Sequence, residues 1–175
     1  KYETSLKEVN TKLTLTSVDD TNLIKTLETR VPSDWADYNG HMNEARYLDC
    51  FCDAADEFMQ IIGCDEQYIK SGGSYFTVET HIRHLAETNI GDSLSVETQL
   101  ISGAGKKMHL FHIMRNKNNT ITATGEHMLI HVSLTTRSAC EPTADIKTKL
   151  SAILKHHSKQ PSPNGLGQSV NGQTK

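Results

Sequence analysis

The 175-residue sequence predicts an α+β fold, in which one long helix packs against a curved, mainly antiparallel sheet of about five strands. One stretch of strong helical periodicity occupies residues 43–62. One strand pattern precedes it and four follow it, and short connections join the last three into an antiparallel meander. The length suits a single domain with one core.

The first strand is predicted at residues 26–32, where Leu27, Thr29 and Val31 alternate with charged neighbours. The helix follows, with Asn43 as N-cap and Gly63 as its stop. Its apolar residues recur at helical spacing and form one predicted buried stripe: Leu48, Phe51, Cys52, Ala55, Phe58, Met59 and Ile62.

Alternating and β-branched patterns predict four further strands, and an amphipathic turn or two is expected near the end of the domain. The strands cover residues 75–85, 93–101, 108–114 and 121–132, and the last amphipathic segment covers 144–156. We therefore expect one domain over residues 23–157. Residues 1–22 are expected to form a partly ordered leader, and the Ser/Pro/Gly-rich residues 158–175 a flexible tail.

Composition excludes several classes of function. The formal charge of −3, from 18 basic and 21 acidic residues, favours neither nucleic acid nor an anionic membrane as a partner. No stretch approaches the roughly 18 apolar residues of a membrane span. The four cysteines lack the spacing of a redox pair or a zinc knuckle, and the histidines have no familiar ligand spacing. We expect a cytoplasmic protein with reduced cysteines and no metal.

The chemistry is predicted to lie just before the helix. Asp37, Asn39, His41 and Asn43 alternate there, ahead of unpaired N–H groups and the positive end of the helix dipole. Such a site could stabilise the negative charge that develops on a thioester carbonyl, while a carboxylate attacks or activates water and an imidazole moves a proton. The structural alternative is that these are ordinary turn and capping residues, with Gly40 allowing the turn.

The segment Asp37-x-Asn39-x-His41-x-Asn43-x-x-x-Tyr47 resembles the signature of hotdog-fold 4-hydroxybenzoyl-CoA and acyl-carrier thioesterases. The resemblance implies a hotdog fold and hydrolysis of an acyl-CoA, with coenzyme A present only as part of the substrate. Asp37 would be the nucleophile or general base, assisted by Asn39 and His41, and the backbone N–H of about Glu44 would polarise the carbonyl. Glu44 replaces the family's second asparagine, which puts that side chain's role in doubt. The family also implies a homodimer or dimer of dimers, with active sites between subunits.

Residues 34–48, 71–85 and 124–129 are similar to the betainyl-CoA thioesterases of carnitine breakdown, several of which are fused to a carnitine dehydrogenase. The resemblance implies a functional link to such a dehydrogenase, although no GxGxxG motif is present here. A trimethylammonium is held by aromatic faces with a carboxylate nearby. Trp35, Tyr47, Tyr75 and Glu79 are the candidates, and the alternative is that these aromatic residues pack the core.

Basic side chains near hairpin ends are candidates for the phosphates of coenzyme A, or else form a solvated rim: Lys106, Lys107 and Arg115. Other acyl-CoA or acyl-carrier substrates, and a non-catalytic acyl-CoA-binding module, stay open as alternatives. The hydratases of the same fold are disfavoured, because they place proline after the asparagine and histidine one position later, where this chain has Gly40 and Met42.

Overall fold

The computed structural model describes residues 23–170, so the predicted leader lies outside the described residues. The elements, in chain order, are β1 (Ile24–Arg30), a 3-10 turn (Ser33–Trp35), α1 (Glu44–Ile62), α2 (Glu66–Lys70), β2 (Gly73–His84), β3 (Ser93–Ser102), β4 (Lys107–Asn116), β5 (Ile121–Ser133), β6 (Ser138–Ala139) and α3 (Ala144–His157).

The sheet has the strand order β1-β3-β4-β5-β2, with the short β6 added to β5, and each of these pairs is antiparallel. The predicted meander of β3, β4 and β5 forms its centre. β1 and β2 form the two edges, so the strands that flank α1 in sequence lie furthest apart in the sheet. One long helix on one antiparallel sheet confirms the predicted α+β hotdog architecture.

Helix α1 begins and ends where local chemistry predicts. The side chain of Asn43 accepts a hydrogen bond from the backbone N–H of Ala45 at 2.9 Å, which satisfies one of the free donors of the first turn. Gly63 ends the helix in the left-handed conformation at φ 90°. This conformation favours glycine, because a Cβ atom would be strained there.

The buried face of α1 is rotated from the predicted stripe. Leu48 is 40% exposed and Cys52 is also exposed, whereas Tyr47, Cys50 and Ala54 are buried. The prediction for Leu48 and Cys52 is wrong because it ranks residues by hydrophobicity alone, which places leucine above tyrosine and alanine. In the folded protein, burial depends on the direction in which a side chain points and on its size, and small residues pack where the helix lies close to the sheet.

Phe51 of α1 lies directly over Gly125 on β5. A Cβ atom added to Gly125 would lie 2.7 Å from the Phe51 ring, so only glycine fits without a shift. Side chains around this contact form one core cluster, next to the N-terminal half of α1. A second cluster lies towards the C-terminal end of α1, where Phe58 and Ile62 pack with Ile146 and Leu150 of α3.

The segment after α3, expected to be a flexible tail, crosses the face of the sheet opposite α1, which we call the outer face. Gln99 donates from Nε2 to the carbonyl of Pro161 at 3.5 Å, and Arg83 donates to the carbonyl of Asn164 at 3.1 Å. The N–H of Gly167 then donates to the Glu126 carboxylate at 2.9 Å. Composition indicates only that little apolar surface is available to this segment. It does not reveal these polar partners on the sheet.

Candidate active site

The loop between the 3-10 turn and α1 folds around the carboxylate of Asp37. Its Oδ1 atom accepts from the backbone N–H of Asn39 at 2.8 Å and of His41 at 3.3 Å. The N–H of Asp37 donates to the carbonyl of His41 at 2.8 Å, and Gly40 has φ 82°. Within the described part of the chain, the other oxygen, Oδ2, has no protein partner. The turn thus orients the carboxylate and leaves one oxygen free.

Long-range backbone bonds hold this loop against the end of the sheet. The N–H of Met42 donates to the carbonyl of Thr88 at 2.9 Å, and His41 forms an isolated antiparallel bridge with Asn89. The N–H of Asn43 donates to the carbonyl of Trp35 at 2.8 Å, which closes the loop on its other side. The site is therefore built from two chain segments, the loop before α1 and the connection between β2 and β3.

These segments border an open cavity of about 360 Å³ on the surface. The predicted residues Asp37, His41, Glu44 and Tyr47 line it together, as do residues that the sequence analysis did not single out for this site: Met42, His84, Leu85, Ala86, Glu87 and Thr88. Carboxylate, imidazole and helix start therefore meet around one space large enough for a small acyl group.

The start of α1 offers a hydrogen-bond donor to this cavity. Asn43 caps the N–H of Ala45, and its carbonyl accepts from Arg46 at 3.0 Å. The N–H of Glu44, one residue before the capped donor, has no hydrogen-bond partner among residues 23–170. A free N–H at the positive end of a helix is suited to stabilise an oxyanion.

His41 has a neighbour from the connection after β2, and Tyr47 has one from the end of β2 itself. Nε2 of His41 lies 3.5 Å from Oε2 of Glu87. The rings of Tyr47 and His84 meet edge to face, with centroids 4.7 Å apart. Burial raises the pKa of Tyr47, so its hydroxyl stays protonated and its ring forms a neutral wall at physiological pH.

Three predicted substrate contacts do not line this cavity. The ring of Trp35 lies against Arg46, whose guanidinium carbon is 5.8 Å from the ring centroid. Tyr75 is buried in the second core cluster, where burial raises its pKa, and about 30 Å of strand separates it from His84. Glu79 lies in β2, where it pairs with Met128 of β5, and its side chain is exposed on the outer face.

The predicted coenzyme A contacts are also dispersed. Lys106 and Lys107 lie at the start of β4, whereas Arg115 lies about 26 Å away at its other end. Arg115 pairs with Glu97 at 3.3 Å and lines a second cavity of about 580 Å³ together with Lys117. The structure does not bring the three cations together.

Within residues 23–170, no group of three or more His, Cys, Asp or Glu is arranged to hold a metal ion. No helix in that range is long and apolar enough to cross a membrane.

Comparison with known families matches residues 31–150 to the Thioesterase-like superfamily. A curated relative in Ruegeria pomeroyi, an L-carnitine dehydrogenase/betainyl-CoA thioesterase, is 49% identical over 89% of this chain, but the match covers 32% of that protein. The chain thus spans about a third of the length of such two-activity relatives. A betainyl-CoA thioesterase of Pseudomonas aeruginosa is 35% identical over 85% of this chain and 94% of its own length.

Solved structures share the same fold. A hypothetical protein from Staphylococcus aureus, determined in complex with CoA, superposes with a TM-score of 0.77 at 24% identity, covering 86% of this chain and 97% of that one. A putative thioesterase from Pseudomonas putida superposes with a TM-score of 0.76 at 28% identity, covering 87% and 98% of the two chains.

Proposed function

Since the chain belongs to the thioesterase-like superfamily, we propose that it hydrolyses the thioester of a small acyl-CoA, and of betainyl-CoA in particular, to the free acid and coenzyme A. One observation carries this proposal. Asp37, His41 and Glu44, the first residue of α1, line one cavity that is large enough for a small acyl group.

The geometry suits acyl transfer to water. The carbonyl oxygen of the thioester would accept from the N–H of Glu44, so that the negative charge of the tetrahedral intermediate develops against the helix dipole. The free Oδ2 of Asp37 would either attack the carbonyl carbon or take a proton from an attacking water. In both routes the carbon–sulfur bond breaks and the thiolate leaves with a proton. Water supplies the new oxygen of the acid directly in the general-base route, whereas in the direct-attack route water cleaves the acyl–aspartyl anhydride that Asp37 forms.

His41 is placed to assist proton movement. Its backbone N–H holds Oδ1 of Asp37, and its ring extends towards Glu87 at the cavity wall. The Asn39 N–H also holds Oδ1. We assign these residues the task of fixing the carboxylate, with the His41 ring available to the leaving thiolate.

Betainyl-CoA as substrate is supported by the relatives named above and by the charge of the cavity. Asp37, Glu44 and Glu87 line it, and no lysine or arginine within residues 23–170 does. A cationic acyl group is therefore favoured over an anionic one. Because the relative in Ruegeria pomeroyi carries both activities, we propose that the enzyme acts in functional association with a carnitine dehydrogenase. It would act in the cytoplasm on a product of carnitine oxidation.

We further propose a homodimer joined along β2. This edge strand spans Gly73–His84, and Phe76 and Val78 on it are 43% and 56% exposed. Long exposed edges with apolar side chains need cover, and pairing with a second copy supplies it. Because β2 leads directly into the residues that line the cavity, the partner subunit would complete the site and its coenzyme A contacts.

Release of free coenzyme A from a panel of acyl-CoAs tests the proposal. The panel contains betainyl-CoA, straight-chain acyl-CoAs of similar size and an aromatic acyl-CoA. We expect the highest kcat/KM with betainyl-CoA. A preference for straight-chain substrates would contradict the substrate assignment and leave the thioesterase assignment standing, whereas binding without turnover of any substrate would indicate a non-catalytic module.

A single turnover in ¹⁸O-labelled water tests for direct attack that ends with hydrolysis at the aspartyl carbon. If Asp37 acts as a general base, the acid formed carries the label. If Asp37 attacks directly and water cleaves the resulting anhydride at the aspartyl carbon, the label appears in Asp37 instead.

A further inference from the structure

We propose that Glu87 is the residue that selects a cationic acyl group, by placing its carboxylate beside the trimethylammonium in the cavity that Asp37 lines. This inference rests on the proposed thioesterase function and specifies how that site distinguishes its substrate. It replaces Glu79, the carboxylate that the sequence pattern favours for this role.

The location of the positive charge in the substrate decides which carboxylate can recognise it. In a betainyl thioester, a single methylene separates the quaternary nitrogen from the carbonyl carbon that reacts. The recognising carboxylate must therefore line the same cavity as Asp37. Glu87 does so, whereas Glu79 lies on the outer face of β2.

Of the carboxylates that line the cavity, Glu87 is the one that local structure leaves unexplained. Asp37 orders the loop through Oδ1, and Glu44 occupies the first turn of α1, where a negative charge stabilises a helix. Glu87 lies outside the helices and strands, and its side chain is 77% exposed. Its Oε2 atom lies 3.5 Å from Nε2 of the His41 ring, and both residues line the cavity.

Two aromatic rings border the cavity, that of His84, which is exposed, and that of Tyr47, which is almost fully buried. Tyr47 lines it, and the edge-to-face contact with His84 fixes the tyrosine ring. An ammonium group beside an aromatic ring is stabilised by the ring quadrupole, and a nearby carboxylate adds an attraction that acts only on a charged ligand. Glu87 therefore affects the charge of the accepted group, whereas Tyr47 and His84 affect its shape.

The test uses two substrates of nearly the same shape, betainyl-CoA and 3,3-dimethylbutanoyl-CoA, in which a quaternary carbon replaces the nitrogen. For wild type and Glu87→Gln, kcat/KM is measured with both. Glu87→Gln keeps the size and hydrogen-bonding capacity of the side chain and removes its charge. Glu57→Gln is the matched control. It removes the same charge from the exposed side of α1, about 20 Å along the helix from Glu44 at the cavity.

We expect Glu87→Gln to lower the ratio of kcat/KM for the cationic over the neutral substrate by about two- to fivefold, the range for loss of one largely solvated charge contact. The change should appear mainly in KM for betainyl-CoA, and Glu57→Gln should leave the ratio unchanged. If Glu87→Gln lowers kcat for both substrates equally, Glu87 acts through His41 and the selectivity assignment is overturned.

An unchanged ratio in Glu87→Gln would also overturn the assignment, with the thioesterase function intact. Absence of turnover by the wild type with either substrate would instead overturn the proposed function itself. The two failures are thus distinguished in the same set of measurements.

Discussion

His112 and His127 lie against each other beneath α1, and their burial predicts a specific sensitivity of the fold to acid. Their ring centroids are 4.9 Å apart, and Phe51 of α1 stacks on His112. Nδ1 of His112 shares a hydrogen bond with the hydroxyl of Thr98 at 2.8 Å. Nε2 of His112 and both ring nitrogens of His127 are buried and have no hydrogen-bond partner among residues 23–170. Burial lowers the pKa of His127 to about 4, and burial with the neighbouring ring lowers the pKa of His112 well below its usual value.

The sign follows from comparing the folded and unfolded states. The unfolded chain protonates these histidines near the ordinary pKa of 6.5, whereas the folded protein keeps them neutral to lower pH. The unfolded state therefore binds more protons below that value, and stability is lost as pH falls from 6.5 towards 4. For His127 alone, this loss amounts to about 2 kcal/mol between pH 7 and pH 5.

Urea unfolding at fixed protein concentration, followed by far-UV circular dichroism at pH 7 and pH 5, measures this effect. The comparison is between wild type and His127→Asn, which removes the titrating group. We expect the variant to lose about 2 kcal/mol less than wild type between the two pH values, whatever its stability at pH 7. An equal loss in both proteins would refute the argument that His127 is buried in its neutral form.

Three further substitutions test the packing and the caps of α1 by thermal and urea unfolding. Gly125→Ala should lower the free energy of unfolding by about 1–3 kcal/mol, because the added Cβ meets Phe51. Combining it with Phe51→Leu should recover part of that loss, and additive free-energy changes for the two substitutions would contradict the contact. Asn43→Ala should cost about 1 kcal/mol, and Asn43→Ser much less, because serine also caps a helix; equal losses would exclude capping. Gly63→Ala should destabilise by about 1 kcal/mol through strain at φ 90°, and an unchanged midpoint would contradict that conformation.

The parts of the fold that depend on local chemistry could be predicted from the sequence. Asn43 and Gly63 bound α1 because caps act within a few residues, and alternation located the strands of the meander. The direction of the buried face of α1 could not be predicted, because it depends on Gly125, more than sixty residues from Tyr47. Only the pairing of strands in the folded sheet places Gly125 of β5 beneath Phe51 of α1.

The same distinction applies to the site. Asp37, His41 and Tyr47 lie on one loop and the helix that follows, so their spacing alone brings them together. His84 and Glu87 join them only because residues 88 and 89 pair with the loop at residues 42 and 41, a contact without a sequence pattern. A signal was nevertheless present, since Glu87 is a charged residue in a connection that follows a long strand, where functional residues are frequent.

The chemical role of Asp37 is the central claim, and kcat for Asp37→Asn with betainyl-CoA tests it most directly. Asparagine can keep the Oδ1 hydrogen bonds of the loop, so the fold should be retained while the reactive carboxylate is lost. Asp34→Asn, in the exposed 3-10 turn of the same loop, serves as the matched control. We predict that Asp37→Asn lowers kcat by about a thousandfold or more and that Asp34→Asn keeps wild-type turnover. A folded Asp37→Asn protein with wild-type kcat would contradict the account.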